Sequence, residues 1–165
     1  MDMSKLTPRA SALITSCGYG KARFMSEDSL EECFNFFEEE GYRLFPEARE
    51  IISDFYMLSL GKRGQFKGDK FEITENADIE NKMVVYPENI YDAAPLFEKL
   101  SKALSDYIIP LGLMGEDFLA IGESGRIYII SDDVFIGGEC WEDFLNNFAD
   151  NFGSLTPVTP SEKQQ

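Results

Sequence analysis

The stretch Phe118-Leu-Ala-Ile-Gly-Glu-Ser-Gly-Arg-Ile-Tyr-Ile-Ile130 reads as two strands around a tight turn. The turn is Glu123-Ser124-Gly125-Arg126, and Gly125 can take a positive φ there without steric cost. A third apolar run, Val134-Phe135-Ile136, follows an Asp132-Asp133 turn. Gly137-Gly138 then leads into an amphipathic segment, Cys140-Trp-Glu-Asp-Phe-Leu-Asn-Asn-Phe148. Strand, turn, strand, turn, strand, helix is a scaffold pattern, and it contains no catalytic motif.

Upstream, Tyr107-Ile-Ile-Pro-Leu-Gly-Leu113 opens the same meander, and Gly115-Glu116-Asp117 turns it into Phe118. Pro110 has no N–H to give a ladder, which predicts an edge position or a bulge. A helix is predicted over Asp92–Leu104, with Leu96, Phe97, Leu100 and Leu104 as its buried stripe. Three more helices come first. Thr7-Pro8 supplies an N-cap and a first helical proline for one that ends near Ser16. The second begins near Ser26, buries Leu30, Cys33, Phe34 and Phe37, and stops at Gly41. The third starts at Pro46 and carries Ala48, Ile51, Ile52 and Phe55 on one side. Gln65–Thr74 is β-like and interrupted by Gly68, Glu75–Lys82 reads as a loop, and Met83-Val-Val-Tyr86 reads as a short strand. The expectation is an α+β fold: a single domain over residues 1–153, an antiparallel β-sheet covered on one face by helices, and a flexible tail over 154–165.

Composition narrows the chemistry. A chain of 165 residues with 44% hydrophobic content and 14 Phe can bury a core without disulfides or metals. The net charge is −15, and it is unevenly placed. Between Lys102 and Lys163 the only base is Arg126. Such a field disfavours nucleic acid, whose phosphates need Lys and Arg, and favours a basic partner steered in from a distance. Solubility alone is the plainer account of the same charge.

The chain has no His, which removes His-based triads, HExxH zinc sites and His proton shuttles. Its three cysteines, Cys17, Cys33 and Cys140, are widely spaced with no CxxC, so buried thiols in a reducing compartment are expected rather than a zinc site. Neither Gly18-Tyr-Gly20 nor Gly61-Lys-Arg-Gly64 has the spacing of a nucleotide-binding loop. Asp132-Asp133 and Glu116-Asp117 are turn pairs, where Asp is favoured for backbone reasons, and they lack the ligand spacing of a calcium loop. Glu38-Glu39-Glu40 reads most simply as the solvated end of a helix, though acids there oppose the macrodipole, a small misfit that hints at binding. Trp141 reads as core, packing the last helix on the sheet. No cofactor and no metal are expected. No signal peptide or membrane span is visible, so a cytoplasmic protein is expected.

Several segments together resemble the SUKH immunity superfamily, its third subgroup in particular. They are Leu13…Gly18-Tyr19…Arg23, Glu40-Gly-Tyr42 with Phe45-Pro-Glu-Ala-Arg-Glu-Ile-Ile-Ser-Asp-Phe55, Leu58-Ser-Leu60 and Phe71. Ile109-Pro-Leu-Gly112, Phe118-Leu-Ala-Ile, Glu123-Ser-Gly-Arg-Ile-Tyr128 and Gly137 before an amphipathic helix complete the series. The family's usual Gly-Trp is Gly18-Tyr19 here, which keeps a bulky aromatic. The resemblance implies a non-enzymatic α+β protein that neutralises a toxin effector, often a nuclease or a nucleic-acid deaminase, in bacterial competition. It carries over no catalytic or toxin-contacting residue.

On charge and position, the expected partner-binding residues are Glu116, Asp117, Glu123, Asp132, Asp133 and Glu139, with Tyr128 as an aromatic anchor. The expected partner is a cognate, basic toxin domain, with no nucleic acid and no membrane, and the protein itself a monomer or weak homodimer. The alternatives are a regulatory interaction module of SUKH type and a carboxylate hydrolase. The hydrolase would need two acids buried in one pocket.

Overall fold

Along the strand Ile127–Ile130, every residue is buried, yet successive side chains point to opposite faces of the sheet. Ile127 and Ile129 join one apolar cluster. Tyr128 and Ile130 join another. The neighbouring strand repeats this, with Leu119 and Ile121 in the first cluster and Ala120 in the second. The centre of the sheet is therefore apolar on both sides.

The computed structural model describes residues 1–20, 27–60, 64–67, 70–73, 83–150 and 156–158. Its helices are α1 (Pro8–Ser16), α2 (Glu27–Glu40), α3 (Pro46–Phe55), α4 (Ala94–Leu104) and α5 (Trp141–Ala149). Its strands are β1 (Ser59–Leu60), β2 (Gly64–Lys67), β3 (Lys70–Ile73), β4 (Met83–Val85), β5 (Ile108–Met114), β6 (Asp117–Gly122), β7 (Ile127–Ile130), β8 (Val134–Gly138) and β9 (Thr156–Pro157). A seven-stranded antiparallel sheet runs β1-β4-β5-β6-β7-β8-β9, and β2 pairs with β3 as a separate hairpin. The predicted α+β fold with an antiparallel sheet is present.

Helices α1, α2, α3 and α5 supply the first cluster and cover one face of the sheet. Thr7 caps α1 by accepting the Ala10 N–H at 3.2 Å. Ala48, Ile51, Ile52 and Phe55 of α3 are all buried. A run of rings binds these helices together. Tyr19 stacks on Phe55 at 4.8 Å, Phe55 meets the edge of Trp141 at 5.1 Å, and Trp141 stacks on Phe144 at 5.2 Å. Such pairs add about 0.5–1.5 kcal/mol each beyond their buried area. Trp141 is core, as its position predicts.

The second face also carries a helix. Phe97 of α4 is buried against Ile108, Ala120 and Tyr128, and Leu100 and Leu104 are half-buried there. The predicted stripe is off by part of a turn, because Ala103 rather than Leu96 is buried and Leu96 is 38% exposed. At the other end of the chain, Thr156–Pro157 pairs with β8 and the Val158 N–H donates to Val134 O, so part of the expected tail is strand. The predicted loop over 75–82 lies outside the described residues.

Pro110 sits inside the sheet, on β5, and not at an edge. Its missing N–H is accommodated by the other predicted device, a bulge: Pro110 pairs with Ala120 and Gly112 with Leu119, leaving Leu111 extra. Gly112 then lets β4 approach. A Cβ there would lie 2.9 Å from Tyr86 N and Val85 Cα and closer still to the Val84 carbonyl oxygen, all backbone atoms that cannot yield. At Gly125, by contrast, φ is +94° and the nearest atoms are the flexible Glu47 carboxylate oxygens at 3.3 Å.

The two glycines therefore predict different penalties. Gly112→Ala forces β4 from β5 and costs about 3 kcal/mol, as overpacking does. Gly125→Ala pays only backbone strain, about 1–2 kcal/mol. Urea unfolding of the two variants checks the order.

Candidate functional site

Because β5 to β8 form an antiparallel meander, their turns alternate between two ends of the sheet. The β5–β6 turn and the β7–β8 turn share one end. The β6–β7 turn, the start of β5 and the end of β8 share the other. The seven residues expected to bind a partner are divided accordingly.

Glu116, Asp117, Asp132 and Asp133 lie at the first end. Glu116, Asp132 and Asp133 are exposed and Asp117 is half-buried at the start of β6. Phe118 pairs with Ile130, which places Asp117 and the Ser131–Asp133 turn side by side. Among the described residues, no Lys or Arg forms an ion pair with any of the four. Four carboxylates on adjacent turns, with no cation partner among the described residues, concentrate negative charge at this end.

Glu123 and Glu139 lie at the second end, and both have partners. The Arg43 guanidinium, on the link between α2 and α3, donates to both oxygens of Glu123, one of them at 3.2 Å. This forked pairing holds the Glu123 carboxyl below the usual carboxylate range. Arg43 also stacks over the Tyr107 ring at 4.7 Å, and its backbone N–H donates to the Tyr107 hydroxyl at 2.6 Å. Arg126 Nε donates to Glu139 Oε2 at 3.0 Å. The six acids thus form two groups, one without a cation partner among the described residues and one bound to arginines.

Tyr128 is not displayed as an anchor. It is 1% exposed, and its hydroxyl donates to Asp106 Oδ2 at 2.8 Å. Asp106 also accepts from Ser124 N at 3.1 Å and from the Ser124 hydroxyl at 2.6 Å, so one carboxylate fastens the β6–β7 turn. It lies across Gly122, which has no side chain to obstruct it. Sequence reasoning missed Asp106, since an acid just after a helix has no signature; its partners are 18 and 22 residues away.

A cleft of about 610 Å³ opens beside α4. Tyr42, Ala94, Phe97, Tyr107 and Ile108 form its apolar wall, and Glu40, Glu98, Lys102 and Asp106 are at its rim. Elsewhere, Tyr56 donates to Glu88 in the region of Cys33. Burial, then Glu88, pushes the Cys33 thiol far above its ordinary value, the opposite of an activated nucleophile. Among the described residues no Asp or Glu is fully buried, so they do not form the paired-carboxylate pocket a hydrolase requires. No cluster of three or more Cys, Asp or Glu among them could hold a metal. Nor is any helix among them long and apolar enough to cross a membrane.

The geometry is that of an α+β scaffold presenting charged turns. The family model for SUKH-3 immunity protein matches residues 7–151, and the chain belongs to that family. No curated protein and no solved structure matches.

Burial, followed by the bond to Asp106, pushes the Tyr128 phenol up to about 12 from 10.0. Its folded pKa is raised, so its contribution is complete below pH 10 and is lost as the pH rises to about 12. Tyr128→Phe is expected to cost about 1–2 kcal/mol at pH 7. The gap to the unsubstituted protein should narrow between pH 10 and 12, measured by denaturant unfolding across that range.

Proposed function

We propose that this SUKH-3 protein neutralises a polymorphic toxin by direct binding, with the end bearing Glu116, Asp117, Asp132 and Asp133 as its docking surface. The observation that carries this reading is the asymmetry of compensation: those four acids have no cation partner among the described residues, whereas Glu123 and Glu139 are held by Arg43 and Arg126. Acids without an internal cation partner need break no internal pair to meet a partner's cations. Family membership supplies the class of partner, a cognate toxin.

The toxin domain is basic and acts on nucleic acid, as a nuclease or a nucleic-acid deaminase. The four carboxylates enter the groove in which it would hold phosphates, and so block substrate by occupying its place. Neutralisation is stoichiometric and non-enzymatic, needs no cofactor, and takes place in the cytoplasm, where such a toxin acts. The complementary fields also speed capture, which matters when the toxin must be stopped before it cuts.

Co-expression with the toxin-like gene nearest to this one, then purification at low and high salt, tests the reading. A complex that forms and loosens with salt is the expected result. Replacing the four acids together (E116K, D117K, D132K, D133K) should lower the association rate by about tenfold or more and flatten its salt dependence. Exchanging Glu123 and Glu139 for Gln should leave both nearly unchanged. Equal rates and equal salt slopes for the fourfold variant and the parent would remove this surface from consideration.

A further inference from the structure

The functional reading above does not use the cleft beside α4, whose lining includes none of the four acids at the β5–β6 and β7–β8 turns. Two helices end on it. Glu40 and Gly41 close α2, and Ser105 follows the last residue of α4. Each helix C-terminus carries roughly half a negative charge. The last turn of α2 has no basic residue to offset it and carries Glu38, Glu39 and Glu40 instead. At the rim stand three carboxylates, Glu40, Glu98 and Asp106, against one ammonium, Lys102, which lies 3.2 Å from Glu98 Oε1. The cleft is thus negative at its mouth and apolar within.

One polar atom in its wall is left over. The Tyr42 hydroxyl oxygen is buried and has no hydrogen-bond partner among the described residues. A buried hydroxyl without a partner is unfavourable, so a ligand that brings one gains from the contact. The cleft follows α4 from Ala94 to Ser105, a length of about 16 Å. That matches about five residues of extended chain.

We infer that this cleft is a second recognition site, and that it takes a basic protein segment. A partner's apolar side chain enters between Tyr42, Phe97 and Ile108. Arginine or lysine residues on either side of it meet Glu40, Glu98 and the two helix ends. A backbone group of the segment reaches the Tyr42 hydroxyl. An acidic segment would meet like charge, and a purely basic one would leave the apolar wall wet.

Fluorescence anisotropy with a fluorescein-labelled Arg-Arg-Leu-Arg-Arg peptide tests this. The comparison peptides are Arg-Arg-Ser-Arg-Arg and Glu-Glu-Leu-Glu-Glu. Ala94→Trp fills the cleft from its rim, and the pair E40K and E98K reverses its mouth without touching the core. Both are expected to weaken the leucine peptide by about tenfold or more. The fourfold turn variant should change it by less than about threefold. The serine and acidic peptides should bind more weakly than the leucine peptide. The inference is overturned if the leucine peptide does not bind, if it binds the cleft variants as well as the parent, if the serine peptide binds as tightly, or if the turn variant alone loses it. None of these results bears on the toxin complex, whose own variants are at the β5–β6 and β7–β8 turns and not in the cleft lining.

Discussion

Ile127 and Ile129 enter one core while Tyr128 and Ile130 enter the other, so β7 has no face on which a charge could be solvated. The same holds for Leu119, Ala120 and Ile121 on β6. An isolated buried carboxylate costs several kcal/mol, which excludes Asp and Glu from these positions. The acids of the β5–β8 meander are therefore confined to turns and to the ends of strands. Antiparallel order then divides them between two ends of the sheet, and the molecule acquires a polarity that its composition alone does not show.

Arginines complete that polarity. Arg126 is in the β6–β7 turn and reaches Glu139 at the same end. Arg43 comes from a distant part of the chain, and its place follows from the helical layer. The rings of Tyr19, Phe55, Trp141 and Phe144 lock α3 and α5 together, and Phe45, just before α3, packs at 6.3 Å from Tyr107. Tyr107 in turn receives Arg43 on its hydroxyl and its ring face. The helical layer so delivers a cation to the end that already has one, while Glu116, Asp117, Asp132 and Asp133 have no cation partner among the described residues.

Much of this was legible in the residues. The caps and periodicities of α1 to α3 and the meander from Tyr107 onward came through because they depend on local rules: Thr7-Pro8, the stop at Gly41, the tight turn at Gly125. The SUKH likeness was legible in the order of its pieces. What remained hidden was mostly non-local. An all-apolar strand such as β7 does not say that a helix covers each face, and α4 was rotated by part of a turn from the stripe its leucines suggested. Tyr128 looked like a surface aromatic until its partner Asp106 was seen. The division of the six acids into free and paired groups depends on Arg43, which lies 80 residues from Glu123. No spacing rule reaches that far. Thr156–Pro157, two residues with a proline, was too short to be recognised as the edge strand it forms.

The most direct test of the polarity is hydrogen exchange on the protein alone and bound to its cognate toxin, read at the turns. The account predicts that amides of Gly115–Phe118 and Ser131–Val134 slow on binding while those of Glu123–Arg126 do not. Protection confined to Glu123–Arg126, with the acidic turns exchanging as in the free protein, would contradict it.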